Sequence, residues 1–308
     1  MKKVSIIGAG HVGATCTYYV AEKNMAGIVM IDVVEGMPQA KGMDFSQAAP
    51  LRKYGVTIRG SNDYREIADS DVVVITAGIP RKPGMDRMDL LRTNADIVGT
   101  AAGKVAEYAP NSTMIVVSNP LDIMCTVALE SSGFALKRVM GMAGILDSTR
   151  FRYFVAEKLG VAVTDVHAMV LGGHGDTMVP LPRFTTVAGI PITKLMGAEE
   201  VQALSDRTRN GGAEIVRFLK TGSAFYAPAA STAEMVEAVL TDEKRIVPAA
   251  AYLRGEYGHE GVFLGVPVLI GKNGVEKIIE LELSREEREM LDKSAEAVKE
   301  GLSSLRSL

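Results

Sequence analysis

Cysteine is scarce in this sequence of 308 residues, and its scarcity excludes two kinds of site. Cys16 and Cys125 stand far apart among apolar neighbours, with neither the spacing of a disulfide framework nor that of a metal site. We therefore interpret both as reduced thiols in a core, which is typical of a protein from a reducing compartment.

Long apolar runs are also missing. None approaches the roughly 18 residues that a membrane-spanning helix needs, so no membrane segment is predicted. The first apolar run, VSIIGAG, ends in glycines too early to be a secretory signal peptide. Together with the cysteines, these absences predict a cytoplasmic protein.

No stretch of Lys and Arg forms a basic stripe. The 34 basic residues are outnumbered by 37 acidic ones, for a formal net charge of −3, so nothing indicates binding to nucleic acid. With 47% hydrophobic and 23% charged residues, the composition is that of an ordinary globular chain. The length suggests about two domains or one large α/β unit.

What the sequence does have is a series of short apolar runs that close on small or polar residues. In the first half they cover residues 4–7, 28–31, 71–75 and 113–117, with helical patterns between them. Runs that are apolar on both faces and alternate with helices are typical of parallel strands covered on both sides. The first half is therefore predicted to be α/β, a Rossmann-type doubly wound parallel sheet, with its ligand across the carboxyl ends of the strands.

The pattern changes after Gly144. Three helical patterns follow, at residues 146–159, 199–219 and 224–240, and two strand-like runs come later, at residues 245–252 and 262–270. We predict a dinucleotide-binding domain over residues 1–144 and a mixed α+β substrate domain over residues 145–308. A final amphipathic helix is predicted to begin at Ser284, which with Glu287 has the spacing of a capping box.

A glycine motif follows the first predicted strand. IIGAGHVG places Gly8, Gly10 and Gly13 in the G-x-G-x-x-G pattern, where helix amides can approach a pyrophosphate that side chains would block. Alone the pattern is weak, because other nucleotide-handling folds carry it. Asp32 strengthens it: it ends the next apolar run, where a carboxylate accepts the ribose hydroxyls and repels a 2′-phosphate. The two features predict a site for NAD in preference to NADP.

Few histidines are available for proton transfer near neutral pH; they are His11, His167, His174 and His259. His174 is favoured because glycines flank it in VLGGHGDTMVPL and leave its imidazole accessible. A histidine base needs a carboxylate on its other ring nitrogen, and the spacing leaves Asp147 and Asp176 both open. The segment GILDSTRFRYFV puts Arg150 on the same helix face as Asp147, and an arginine fork suits a carboxylate ligand.

Six segments, in this order, resemble the NAD-dependent lactate and malate dehydrogenases: GAGHVG, IDVVEG, GIPRKPGMDR, VSNPLD, GILDSTRFR and GGHGDTMVPL. The resemblance covers nearly the full chain and is closest to the lactate-dehydrogenase-like malate dehydrogenases. It implies reversible hydride transfer between (S)-malate and NAD, giving oxaloacetate and NADH. It also implies that His174 transfers the proton, that Asp147 orients it, and that Arg150 binds the first carboxylate of the substrate.

The loop GIPRKPGMDRMDL carries the residues that distinguish substrates within the resemblance. Arg87 matches the arginine that polarises the substrate carbonyl, and Arg81 matches the position where malate enzymes carry arginine and lactate enzymes glutamine. The small Ala224, where lactate enzymes carry threonine, leaves room for the second carboxylate. Asn119, before an expected cis bond to Pro120, is implied to bind the substrate oxygen.

The resemblance also implies the cofactor set and the assembly. The cofactor-binding residues are Gly8, Gly10, Gly13, Asp32, Asn94, Ser118 and Asn119. The partners are a small dicarboxylate, malate or oxaloacetate, and other copies of the chain in a homotetramer, with a homodimer as the alternative.

Three rivals stay open at this point. The nearest is a lactate dehydrogenase or a broader 2-hydroxy acid enzyme, against which Arg81 is the main argument. A non-catalytic NAD-binding regulator would be expected to lose some of His174, Asp147, Arg150 and Arg87, and the chain keeps all four. A methyltransferase would need neither the acid-base pair nor the carboxylate-binding arginine.

Overall fold

The structure is a computed structural model that describes residues 2–80 and 87–307 and, of Arg87, the backbone only. Its strands are β1 (Lys2–Ile7), β2 (Ala26–Ile31), β3 (Ile58–Ser61), β4 (Val72–Ile75), β5 (Thr113–Val116), β6 (Val139–Gly141), β7 (Val166–His167), β8 (Val170–Leu171), β9 (Val179–Pro180), β10 (Thr186–Val187), β11 (Ile190–Pro191), β12 (Arg245–Arg254), β13 (Glu260–Gly271) and β14 (Gly274–Ile278). Its α-helices are α1 (His11–Glu22), α2 (Met37–Arg52), α3 (Arg87–Tyr108), α4 (Leu121–Ser132), α5 (Gly144–Leu159), α6 (Ala198–Leu219), α7 (Tyr226–Leu240) and α8 (Arg285–Arg306).

One large sheet runs through the molecule in the order β14-β13-β12-β6-β5-β4-β1-β2-β3. The strands from β3 to β6 in this order are parallel, and β1 lies between β2 and β4. The chain therefore winds in one direction from β1 through β3 and in the other from β4 to β6. This arrangement confirms the Rossmann-type fold, and its switch point places the carboxyl ends of β1 and β4 side by side.

Strand β4 shows why these runs form parallel strands. Its four residues are fully buried, so its side chains pack on both faces of the sheet. Helix α1 packs against α7 and helix α3 against α4. Side chains that are apolar at every position suit only a strand covered on both sides.

The second half contains both late strand-like runs that the sequence predicts. They are confirmed as β12 and β13, and they extend the large sheet. They pair antiparallel with each other, and β12 joins β6 through Ala250 and Gly141. The sheet of the first half thus continues into the second, because the buried edge of β6 accepts another strand.

The predicted helices of the second half are confirmed, and α7 begins at Tyr226 instead of residue 224. At the start of α8, the Ser284 hydroxyl accepts a hydrogen bond from Glu287 N at 3.2 Å, and the Glu287 carboxylate accepts one from Ser284 N at 2.8 Å. The predicted capping box is therefore present.

Both cysteines are buried free thiols, as predicted, and burial raises the pKa of Cys16 to about 12. Within residues 2–80 and 87–307, no helix is both long and apolar enough to cross a bilayer.

Candidate functional site

The turn between β1 and α1 is closed so tightly that it requires glycine. Gly8 has a φ of +103°, and its N–H donates to Ile31 O at 2.7 Å. A Cβ on Gly13 would lie 1.9 Å from the Gly8 carbonyl oxygen, too close for any side chain. A Cβ on Gly10, in contrast, would meet nothing within 4 Å. The turn therefore leaves open space beside Gly10, in front of the first amides of α1.

That space fits a phosphate group. No side chain in the described part of the chain caps the start of α1, and its first turn carries no acidic residue. Free helix amides and the positive end of the helix dipole favour an anion there.

Asp32 lies at the carboxyl end of β2, beside the same turn. Its Oδ2 accepts a hydrogen bond from Ala9 N at 2.7 Å, and its Oδ1 accepts one from Val34 N at 3.0 Å. Lys41 donates to the carbonyl oxygen of Ala9 from the other side. Each carboxylate oxygen keeps a lone pair free, so the group is fixed in place and can still accept hydroxyl donors.

Three polar residues join the ends of β4 and β5. The buried Asn94 accepts a hydrogen bond from Ile79 N at 2.8 Å and donates to Asn119 O at 2.8 Å and to Ile79 O at 3.2 Å. Ser118 donates to Ala77 O at 2.5 Å. The bond between Asn119 and Pro120 is cis, as expected. These contacts fix the backbone where the strands end, and the Asn94 amide uses both its oxygen and its nitrogen on the protein itself.

The side chain of His174, the histidine between glycines, contacts helix α5. Nδ1 of His174 lies 2.9 Å from Oδ2 of Asp147, whose side chain is buried. Oδ1 of Asp147 accepts a hydrogen bond from Nη1 of Arg150 at 3.2 Å. Of the two carboxylates that the spacing left open, Asp147 is the one in contact, whereas Asp176 is exposed.

The charges of this cluster act on one another. Burial lowers the pKa of His174, but Asp147 and then Asp122 raise it by more, so the pKa lies above its ordinary value. Burial lowers the pKa of Arg150, and Asp147 offsets only part of this effect. Nε of Arg150 is buried without a hydrogen-bond partner in the described residues. A desolvated guanidinium with an unpaired donor is suited to bind a carboxylate.

The other histidines have different surroundings. His11 stacks on Phe225 with ring centroids 5.0 Å apart. Nε2 of His259 lies 2.9 Å from Oδ1 of Asp292, away from the cluster, and His167 is exposed.

A cavity of about 300 Å³ connects the parts of the site. It is lined by Arg150 and His174 on one side, Asn119 at the end of β5, Ala224 before α7, and Val12 at the start of α1. The glycine turn and the histidine therefore open onto the same space. Of the loop residues, Arg81 lies outside the described residues, as does the side chain of Arg87.

Sequence reasoning missed two features of the site. The glycines Gly211 and Gly212 of α6 lie against Arg150: a Cβ on Gly211 would be tight, at 3.2 Å from Arg150 Cδ, whereas one on Gly212 would make an ordinary contact, at 3.6 Å from Nη2. The glycine pair in RNGGAE was the available signal. The second feature is Asp122, whose Oδ2 accepts a hydrogen bond from His174 N at 2.8 Å. Nothing in its sequence position pointed to that contact.

Family models match nearly the whole chain. Residues 2–141 match the lactate/malate dehydrogenase NAD binding domain, and residues 145–307 match the lactate/malate dehydrogenase alpha/beta C-terminal domain. A malate dehydrogenase of Thermomicrobium roseum is 57% identical over 307 residues, covering 100% of this chain and 99% of the relative.

Solved structures agree. The malate dehydrogenase of Salinibacter ruber is 50% identical with a TM-score of 0.96, covering 99% of this chain and 98% of that one. A lactate dehydrogenase of Cryptosporidium parvum, complexed with lactic acid and NAD, is 41% identical with a TM-score of 0.96, covering 100% of this chain and 98% of that one.

Proposed function

The chain belongs to the lactate/malate dehydrogenase family, and we propose that the site around His174 interconverts malate and oxaloacetate. The protein is an NAD-dependent oxidoreductase that transfers a hydride reversibly between (S)-malate and NAD, giving oxaloacetate and NADH. The roles of its residues are supported by one observation. Buried contacts run from His174 through Asp147 to Arg150, and His174 and Arg150 line the same cavity as Val12 at the start of α1.

NAD, when bound, supplies the hydride acceptor for malate oxidation and the hydride donor for the reverse reaction. The free amides of α1 and the open space at Gly10 suit its pyrophosphate, and the fixed carboxylate of Asp32 suits its ribose hydroxyls. We assign its binding to Gly8, Gly10, Gly13, Asp32, Asn94, Ser118 and Asn119. For Asn94 and Ser118 the support is indirect, because their side chains hold the backbone at the strand ends.

His174 moves the proton in this proposal. With Nδ1 held by Asp147, Nε2 takes the hydroxyl proton of malate during oxidation and returns it to the carbonyl oxygen during reduction. Oxidation therefore needs the neutral imidazole and rises with pH through the pKa of His174, whereas reduction needs the imidazolium and falls over the same range. Because that pKa is raised, reduction persists to a higher pH than an ordinary histidine would allow.

Arg150 binds the first carboxylate of the substrate. Its buried, unpaired Nε supports this role, because a bound carboxylate would satisfy that donor. Asn119, at the wall of the cavity, binds the substrate oxygen. Ala224, which also lines the cavity, leaves space for the second carboxylate because its side chain is small.

The loop arginines complete the proposal on the strength of the sequence. Arg81 pairs with the second carboxylate and so selects a dicarboxylic substrate, and Arg87 polarises the reacting carbonyl.

The test compares oxaloacetate with pyruvate, which lacks the second carboxylate. Arg81→Gln leaves that carboxylate unpaired in a closed site, at a cost on the order of 2 to 5 kcal/mol. This corresponds to a loss of roughly one to four decades of kcat/KM for oxaloacetate, with little loss for pyruvate. The measurement is the initial rate of NADH absorbance loss at a series of concentrations of each keto acid.

Arg87→Gln is the matched control, and it should slow both keto acids alike. Equal losses on both substrates in the Arg81 variant would mean that Arg81 does not select malate. If the wild type oxidises NADH with neither oxaloacetate nor pyruvate, the protein would be a cofactor-binding protein without this activity.

We also propose a boundary at residues 144 and 145, a homotetramer and a cytoplasmic location. The separate family matches support the boundary, and the buried free thiols support a reducing compartment. Analytical ultracentrifugation distinguishes the tetramer from the dimer.

A further inference from the structure

A second buried carboxyl group, that of Asp122, contacts the backbone of His174. Asp122 lies in the first turn of α4 and is only 5% exposed. Its Oδ2 accepts the hydrogen bond from His174 N at 2.8 Å, whereas its Oδ1 is buried with no hydrogen-bond partner among the described residues. Such an orphan acceptor is costly to bury, so its retention calls for an explanation.

The packing holds this carboxyl group against the loop that carries the histidine. A Cβ on Gly173 would lie 3.3 Å from Asp122 Oδ2 and 3.0 Å from Val298 Cγ2. Gly173 N donates to Ser294 Oγ at 2.8 Å. The loop is therefore fixed between α4 and α8, and Asp122 is its contact with α4.

The charges around the imidazole come from several elements. Asp147 and Arg150 face it from α5, and Asp122 faces it from α4. Asp176 follows it on its own loop, while Arg209 of α6 and Glu300 of α8 line the two cavities that His174 also lines. The carboxylates of Asp147 and Asp122 both raise the pKa of His174, and Arg150 lowers it.

Asp122 itself titrates in an unusual range. Burial raises its pKa, the hydrogen bond and charge of His174 offset part of this effect, and the net value is about 6. The carboxyl group is thus mostly ionised at neutral pH and protonated a little below it. Its ionisation and that of the imidazole are coupled, since each charge stabilises the other.

We propose that Asp122 is a positioning residue of the proposed reaction, which anchors the backbone of His174 and supplies a second carboxylate that favours the protonated imidazole. The anchoring serves both directions, because it fixes the ring against Asp147. The charge serves one direction, because only oxaloacetate reduction requires the imidazolium. This inference rests on the proposed role of His174, and it gives Asp122 the further role of favouring the protonated form of that histidine.

The test separates charge from anchoring. Asp122→Asn removes the charge but can still accept the hydrogen bond from His174 N through its amide oxygen. We expect the pH midpoint of kcat/KM, in both directions, to fall by about one unit, the lower limit for loss of a close opposite charge. Near neutral pH, oxaloacetate reduction should drop by up to about tenfold, while malate oxidation should be retained.

Two further variants sharpen the comparison. Asp122→Ala also removes the hydrogen bond to His174 N. It should therefore lower kcat in both directions and shift the pH midpoint as Asp122→Asn does. Asp122→Glu restores the charge and should return the midpoint toward that of the wild type. If Asp122→Asn slows both directions equally with an unmoved midpoint, Asp122 has a packing role only and the proposal is wrong.

A measurement on the wild type does not depend on any variant folding. The imidazole of His174, followed by NMR between pH 4 and 9, should titrate in two steps, with the lower one near 6 from Asp122. A single step would overturn the coupling. Activity of the wild type on oxaloacetate tests the proposed function separately, so the two failures are distinguishable.

Discussion

The two sides of the candidate site are built from different chemical groups. On the proposed cofactor side, every contact involves the main chain: Gly8 N donates to Ile31 O, two backbone amides hold Asp32, and the side chains of Asn94 and Ser118 bond to backbone carbonyl groups. On the substrate side, the contacts join charged side chains, with His174 and Arg150 both bound to the buried Asp147. One side depends on backbone shape, and the other on the placement of charge.

The difference has an energetic consequence. The glycine turn is held closed by backbone contacts such as the hydrogen bond from Gly8 N to Ile31 O, so its shape is preformed, and the uncapped first amides of α1 are left for a ligand. The charged cluster retains a buried donor at Arg150 and a buried acceptor at Asp122, neither of which has a partner among residues 2–80 and 88–307. Such groups destabilise the free protein and favour the bound state, because a ligand or a proton satisfies them.

The largest expected effect is on the charged side. His174→Asn removes the group that we propose transfers the proton and should lower kcat by roughly two to four orders of magnitude in both directions. NAD affinity, measured by fluorescence titration, should change little, because the glycine turn does not depend on this side chain. His167→Asn, at an exposed histidine, is the matched control and should keep full activity. Full activity in the His174 variant would remove this residue from the mechanism.

The next largest effect is expected at the glycine turn, where two substitutions should affect stability differently. Gly13→Ala forces a Cβ against the Gly8 carbonyl, so it should lower the thermal midpoint of unfolding and reduce the free energy of unfolding by about 1 to 3 kcal/mol or more. Gly10→Ala places its Cβ in open space at an ordinary φ of −66°, so the thermal midpoint should stay unchanged. It should nevertheless weaken NAD binding, on the order of tenfold, because the Cβ enters the pyrophosphate space.

Calorimetry and NAD titration on both glycine variants check this contrast. If Gly10→Ala binds NAD as the wild type does, the pyrophosphate does not approach Gly10, and our placement of the cofactor is wrong.

The smallest effect is expected at Asp32. Asp32→Ser removes a hydrogen-bonded carboxylate and its repulsion of a 2′-phosphate. The binding of NAD should therefore weaken by about tenfold, while the binding of NADP improves relative to that of NAD. Asp32→Asn also loses the charge but keeps one acceptor oxygen for either Ala9 N or Val34 N, so comparing it with Asp32→Ser shows how much of the effect comes from hydrogen bonding and how much from charge. An unmoved ratio of kcat/KM for the two cofactors would place Asp32 away from the ribose.

The same contrast explains how much could be predicted from the sequence. The parallel strands and the glycine turn follow from local patterns, because burial on both faces and tight turns restrict residue type within a few positions. The choice between Asp147 and Asp176 could not be made from spacing, since it depends on how α5 packs against a distant loop. The contact of Asp122 with His174 N was missed for the same reason: it joins residues 52 apart in the chain.

The continuation of the sheet was also beyond the sequence pattern. An apolar run predicts a buried strand but does not name its neighbour, so the pairing of β12 with β6 could not be anticipated. The strand β6 itself was not predicted, because a run of three residues, Val139–Gly141, is too short to give a periodic signal.

The shared sheet has a consequence for how this chain can be divided. Because β12 covers the edge of β6, a fragment ending at residue 144 would expose a row of unpaired backbone groups on a fully buried apolar strand. Such an edge is a template for pairing between molecules, so the isolated first half should aggregate where the full chain does not. Gly172, which precedes the histidine, is bridged to Gly265 of β13 and would lose its own support in the complementary fragment. Although separate family models match residues 2–141 and 145–307, we therefore expect the two halves to be stable only as one chain.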